Sequence, residues 1–146
     1  MSTPLAEVEI FRPLPDDARE ALAMRGQRRR YAAGEVLMRQ GDPSEVMHVV
    51  LTGRVRVERE QSDEGKVLLA EIGPNEVIGE MGVLDHAPRS ATVTAMEPTE
   101  TLELHATALA VVLIQYPAVA AVLLRTLSQR LRGADDLVEQ LARESH

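Results

Sequence analysis

The sequence predicts an α+β fold in which short strands form a sandwich or barrel between helical ends, and three observations carry that reading. Residues 27–105 hold short β-branched runs separated at intervals by glycine-containing turns. Beyond His105 the apolar spacing becomes helical. Hydrophobic residues make up 45% of 146 positions and charged residues 27%, enough for one domain with a real core. That core must be aliphatic, because Phe11, Tyr31 and Tyr116 are the only aromatic residues.

The elements follow in order. In the first segment, 5–26, the apolar residues Val8, Phe11, Leu14, Ala18, Ala21 and Leu22 are interrupted by Pro13 and Pro15. This predicts a short helical piece, a proline-marked turn and a second helix starting near Pro15-Asp16. Strands are expected at 35–38, 46–51, 54–58, 67–72, 91–95 and 102–104, with turns at Ala33-Gly34, Gly41-Asp42-Pro43, Thr52-Gly53, Asp63-Glu64-Gly65 and Gly73-Pro74-Asn75. Alternation is clearest at 54–59, where Val55 and Val57 share one face and arginines take the other. Arg28-Arg29-Arg30 is the only basic run, and on a strand it reads as a solvated sheet edge rather than a nucleic-acid patch. Helices are expected at 106–115 and from Pro117 to about residue 143, with Pro117 in the first turn. In the last helix Ala120, Leu124, Leu127, Leu131, Ala134, Val138 and Leu141 recur at spacings of four and three. Such a narrow heptad seam points to a partner helix; the alternative is an intramolecular core helix.

Composition removes several functions. A net charge of −7 has the wrong sign for a self-sufficient DNA binder, and the near absence of aromatics leaves no stacking platform for single strands. Without cysteine there is no disulfide, thiolate zinc site, iron–sulfur sensor or cysteine nucleophile. His48, His86, His105 and His146 lack metal-ligand spacing, so no metal site is expected. The start Met1-Ser2-Thr3-Pro4 has no secretory pattern, and the longest apolar run, 106–114, is too short to span a bilayer. A cytoplasmic protein without membrane contact is expected.

The chemistry gathers at residues 77–93. Val77-Ile78-Gly79-Glu80-Met81-Gly82-Val83-Leu84 and Pro88-Arg89-Ser90-Ala91-Thr92-Val93 bring closely spaced glycines, one carboxylate, one arginine and small residues together. Glycine allows close backbone approach, and a short helical turn from Gly79 would aim free N–H groups at an anion. Arg89 offers a permanent planar cation for a phosphate, whereas Glu80 accepts from a donor such as a sugar hydroxyl.

These residues resemble the phosphate-binding cassette of the cyclic nucleotide-binding domain family, with its Gly-Glu-x-(small or apolar)-x-Leu segment and its Arg-x-Ala-(Thr or Ser)-Val. The resemblance extends to Tyr31-Ala32-Ala33-Gly34-Glu35-Val36-Leu37, Gln40-Gly41-Asp42 and Leu51-Thr52-Gly53-Arg54-Val55. It implies one domain over 1–146: N-terminal helices at 1–26, a β-roll (a jelly-roll-like double-stranded β-helix) at 27–105 with the cassette at 77–93, and C-terminal helices at 106–146. It assigns Glu80 to the ribose 2′-hydroxyl and Arg89 to the phosphate oxygens. Gly79, Met81, Gly82, Ser90 and Ala91 complete the cassette contacts, mainly through backbone amides. Val57, Leu68 and Leu69 are implied as the apolar wall near the base, and Arg130, Ala134 and Asp135 on the last helix as its cover.

The expected function is regulatory rather than enzymatic: binding of a 3′,5′-cyclic nucleotide, with the last helix and a homodimer seam as output to an unidentified downstream protein. Cyclic AMP comes first on family frequency. Asp135 at the base edge brings cyclic GMP close behind, since a carboxylate accepts two donors from guanine and one from adenine. Only residues 142–146 follow Leu141, so no helix-turn-helix fits after it and no DNA binding by this chain alone is expected. The alternatives are a family-shaped protein-interaction module with another ligand or none, and the sensor half of a truncated transcription regulator.

Overall fold

Two four-stranded antiparallel sheets face each other as a β-roll, and helices pack on the outside of one of them; the fold is α+β. The structure, a computed structural model, describes residues 5–43, 45–61, 65–79, 91–122 and 124–125. A 3₁₀ turn at Glu9–Phe11 precedes helix α1 (Asp16–Arg25). The strands are β1 (Gln27–Tyr31), β2 (Val36–Met38), β3 (Val46–Thr52), β4 (Val55–Gln61), β5 (Gly65–Ile72), β6 (Val77–Ile78), β7 (Thr92–Ala95) and β8 (Thr99–His105). Helix α2 (Ala106–Gln115) follows, and residues 117–122 and 124–125 are again helical, so Pro117 opens that helix as expected. Strand order is β1-β8-β3-β6 in one sheet and β2-β7-β4-β5 in the other.

Most elements form where periodicity placed them, and the differences have physical causes. Strand β1 lacks an apolar alternation because it lies at the sheet edge, paired with β8 alone. Its arginines are held by that neighbour: Arg28 reaches Glu100 at 2.7 Å, Arg30 reaches the same carboxylate at 3.7 Å, and Arg29 reaches Glu103 at 3.3 Å. The basic run is thus a solvated ion-pair ladder, as an edge strand requires. Strand β6 has two residues, too few for any period to register. The hairpin from β3 to β4 turns at Gly53, whose φ of 91° and closeness to Thr99 Oγ1, 2.4 Å from where a Cβ would sit, admit no other residue.

Two apolar clusters result. A helical core joins Leu5, Val8, Ile10, Phe11, Leu14 and Leu22 from the N-terminal segment to Met47, Val49, Val77, Leu102 and Leu104 of one sheet and to Leu109, Val112 and Val119. A smaller roll core lies between the sheets: Met38, Val50, Val55, Ile78 and Val93, with Leu37, Val57 and Ile72 against it. Arg19 ties the N-terminal pieces together, donating to the carbonyls of Leu14 (2.6 Å) and Arg12 (3.0 Å) and pairing with Asp16.

Candidate functional site

The cassette is anchored at both flanks. Strand β6 lies along β3, Ile78 opposite His48 and Val77 opposite Val49. Because neighbouring strand residues point to opposite faces, Val77 enters the helical core and Ile78 the roll core. Gly79 follows with φ of 84°, a left-handed conformation suited to glycine. The turn before β6 has Pro74 second and Asn75 third with φ of 68°, and Glu76 N–H donates to the Gly73 carbonyl at 3.3 Å. Val50 holds that turn, accepting from Asn75 N–H at 2.8 Å and donating to the Glu76 carbonyl at 3.0 Å.

The other flank returns in the opposite sheet. Ala91 is 8% exposed, and Val93 sits in the roll core beside Ile78. Thr92 pairs with Glu58 and its Oγ1 accepts from Gln40 N–H at 3.0 Å, while the Gln40 side chain accepts from Glu60 N–H at 2.9 Å. Gln40 therefore knits the cassette's return to β4. Glu80, Met81, Gly82, Arg89 and Ser90 lie outside the described residues. So do Arg130, Ala134, Asp135 and the seam positions Leu127, Leu131, Val138 and Leu141.

On the wall, Val57 is half-buried against the roll core, between Val93 on β7 and Ala70 on β5. Leu68 and Leu69 are 55% and 45% exposed on edge strand β5. Pairing runs Val57 to Ala70 and then Glu58 to Leu68, so Leu69 is the extra residue of a β-bulge. Leu68 consequently shares a face with Glu58, whose carboxylate binds Arg56 at 2.6 Å, whereas Ala70 shares the face of Val57. The place of Ala70 beside Val57 follows from a pairing register, which no local pattern contains.

Two further features bear on function. His105 N-caps α2, its Nδ1 accepting from Thr107 N–H at 3.2 Å, which gives that histidine a structural task. Where the last helix begins, Val119 is buried and Val122 packs on the helical core, but the seam residue Leu124 is 66% exposed and Ala120 half-buried. Among the described residues no helix is long and apolar enough to cross a membrane.

Residues 28–116 match the model of the cyclic nucleotide-binding domain. The cyclic AMP receptor protein of Thermus thermophilus is 38% identical over 109 residues, which are 75% of this chain and 50% of the relative. The crystal structure of the Thermus thermophilus catabolite activator protein superposes with a TM-score of 0.86 at 34% identity, covering 92% of this chain and 63% of that one. The N-terminal domain of a transcriptional regulator from Streptomyces coelicolor A3(2) gives 0.75 at 34% identity, covering 94% and 95%. The chain thus spans about half the length of the Thermus receptor it matches.

Proposed function

The chain belongs to the cyclic nucleotide-binding domain family, and from that premise we propose that it binds a 3′,5′-cyclic nucleotide at residues 77–93, cyclic AMP ahead of cyclic GMP. One observation carries the reading. Both flanks of the cassette converge on the roll core from opposite sheets, through Ile78 and Val93, so its described ends, Gly79 and Ala91, leave from a common floor. In this reading Glu80 accepts the ribose 2′-hydroxyl and Arg89 neutralises the exocyclic phosphate. The backbone amides of Gly79, Gly82, Ser90 and Ala91 donate to its oxygens. Preference for cyclic AMP follows the Thermus receptor, which is named for that ligand. No bond is broken, and the role is regulatory.

The proposed output runs through the helical core. It contains both Val77, at the start of the cassette, and Val119, at the start of the last helix. Ligand that tightens the cassette therefore acts on the packing that orients that helix. The exposed Leu124 follows Ala120 in the seam through which two copies would pair. Replacing Leu127 and Leu131 with Glu would bury like charges in that seam, and sedimentation should then report monomers. A wild-type chain that is monomeric at all concentrations, with and without ligand, would remove the dimer.

Isothermal titration of the purified chain with cyclic AMP and with cyclic GMP tests the function itself. Saturable binding of one nucleotide per chain, tighter for cyclic AMP, is expected; no binding of either would leave a family-shaped interaction module. The relatives' greater length favours a second role, as the sensor part of a longer regulator, which the reading frame beyond His146 would test.

A further inference from the structure

A polar group is buried on the inward face of the sheet that carries β6. His48, on β3, is 2% exposed, and its Nδ1 lies 2.9 Å from Oγ1 of Thr101 on β8, which is fully buried. The edge of the Tyr31 ring, on β1, meets the imidazole at 6.3 Å and 70°. Three strands thus contribute to one cluster. On the other side of β3, His48 is the direct cross-strand partner of Ile78, the last residue before Gly79. Strand β6 terminates its sheet and pairs with β3 alone. A two-residue strand with one neighbour takes its position from that neighbour, so whatever fixes β3 fixes where the cassette begins.

The bond also spans the register of β3 against β8. Pairing of β3 with β8 shifts between Val50 and Thr52, so one end of the ladder is irregular. His48 and Thr101 are offset by one step across the pair, His48 facing Glu103 and Val50 facing Thr101. A diagonal bond of this kind forms in one register and is lost in a slipped one. Leaving either polar group buried and unpaired is costly, which makes the register selective.

We propose that the buried His48–Thr101 hydrogen bond is a positioning device for the ligand site: it fixes β3 under β6 and so sets where Gly79 delivers the cassette. The inference rests on the cyclic-nucleotide reading above, and its test separates the two. Thr101→Val, Thr101→Ser and the double variant His48→Leu/Thr101→Val would be compared with wild type below their melting temperatures. The readouts are amide hydrogen exchange and affinity for cyclic AMP.

Thr101→Val should speed exchange at Ile78 and Gly79 about tenfold relative to amides of α2 and weaken cyclic AMP binding by about the same factor. Thr101→Ser, which keeps the hydroxyl, should restore both. The double variant removes the imidazole left unpaired by Thr101→Val, although the Tyr31 hydroxyl still lacks its bond to Thr101, so part of the stability should return. A positioning bond predicts that its affinity and its exchange at Ile78 and Gly79 stay altered. Recovery of affinity in the double variant, or exchange in Thr101→Val that rises only in step with α2, would overturn the proposal. Should wild type bind neither cyclic AMP nor cyclic GMP, the functional reading falls. Selective acceleration at Ile78 and Gly79 would then still support the positioning of the segment, and its absence would overturn it.

Discussion

The two cores of this molecule are built from different material. The helical core encloses large side chains, Leu5, Phe11, Leu22 and Leu109, none more than 1% exposed, drawn from both ends of the described chain and one face of a sheet. The roll core is Met38, Val50, Val55, Ile78 and Val93, supplied by strands alone. Three valines and an isoleucine, with Met38, set the spacing of two sheets, and the sheet rim beyond them stays open at Leu68, Leu69 and Ala70. Bulk that resists unfolding is therefore concentrated in the helical core, whereas Ile78 and Val93, on the two described flanks of the cassette, stand on the smaller cluster. Strand β6 joins the two, with Val77 in one and Ile78 in the other.

Substitutions that strike one core at a time would break or sharpen this division. The largest loss of stability is expected from Phe11→Ala, a fully buried ring in the helical core, at about 3–5 kcal/mol by chemical denaturation. Affinity of the remaining folded protein should shift only modestly, through the packing that Val77 and Val119 share with Phe11; a collapse of affinity as well would show that the cores are not separable. Arg89→Ala should do the reverse. Loss of a charge-assisted hydrogen bond, about 1.5–3 kcal/mol, weakens cyclic nucleotide binding roughly ten- to 150-fold at unchanged melting temperature. Calorimetry showing wild-type affinity in the folded variant would take Arg89 out of the site.

Ile78→Val should cost about 0.5–1.5 kcal/mol of stability and also weaken nucleotide binding measurably, because Ile78 is both roll core and cassette lead-in. A variant that loses stability but binds as before would detach the roll core from the site. The smallest effect concerns Tyr31. Burial first, and then the Glu103 carboxylate, push its hydroxyl above the ordinary 10.0, against a lesser lowering by Arg29. The folded protein then holds that proton more tightly than the unfolded chain does. The contribution is complete below about pH 10 and is lost as pH rises through the folded value. Tyr31→Phe should flatten the decline of melting temperature above pH 10, and an unchanged alkaline profile would deny Tyr31 that role.

How much of this was legible in the sequence depended on whether the signal was local. Helix α2 emerged at its observed bounds because the apolar spacing turns helical after His105 and is closed by Pro117. Strand β4 announced itself through Val55 and Val57, and Gly53 through a turn that tolerates only glycine. The cassette stood out by its residue types, since few other tasks need two glycines flanking a carboxylate and then Arg-Ser-Ala in that order. Non-local facts stayed hidden. Strand β1 is held by glutamates on β8, the bulge at Leu69 exists only relative to β4, and His48 is buried because Thr101 meets it from 53 residues away. The seam remains a pattern whose beginning alone, at Ala120 and Leu124, lies within the described residues.

Amide hydrogen exchange of the whole chain with and without cyclic AMP tests the division of labour most directly. Bound nucleotide should protect Ile78 and Gly79 on one flank of the cassette and Ala91 to Val93 on the other. A second change is expected where the helical core meets the last helix, at Val119 and Val122, while Leu22 and Leu109 keep their protection. Saturating cyclic AMP that leaves both cassette flanks exchanging at their free rates would contradict the proposal that the roll core carries the ligand site.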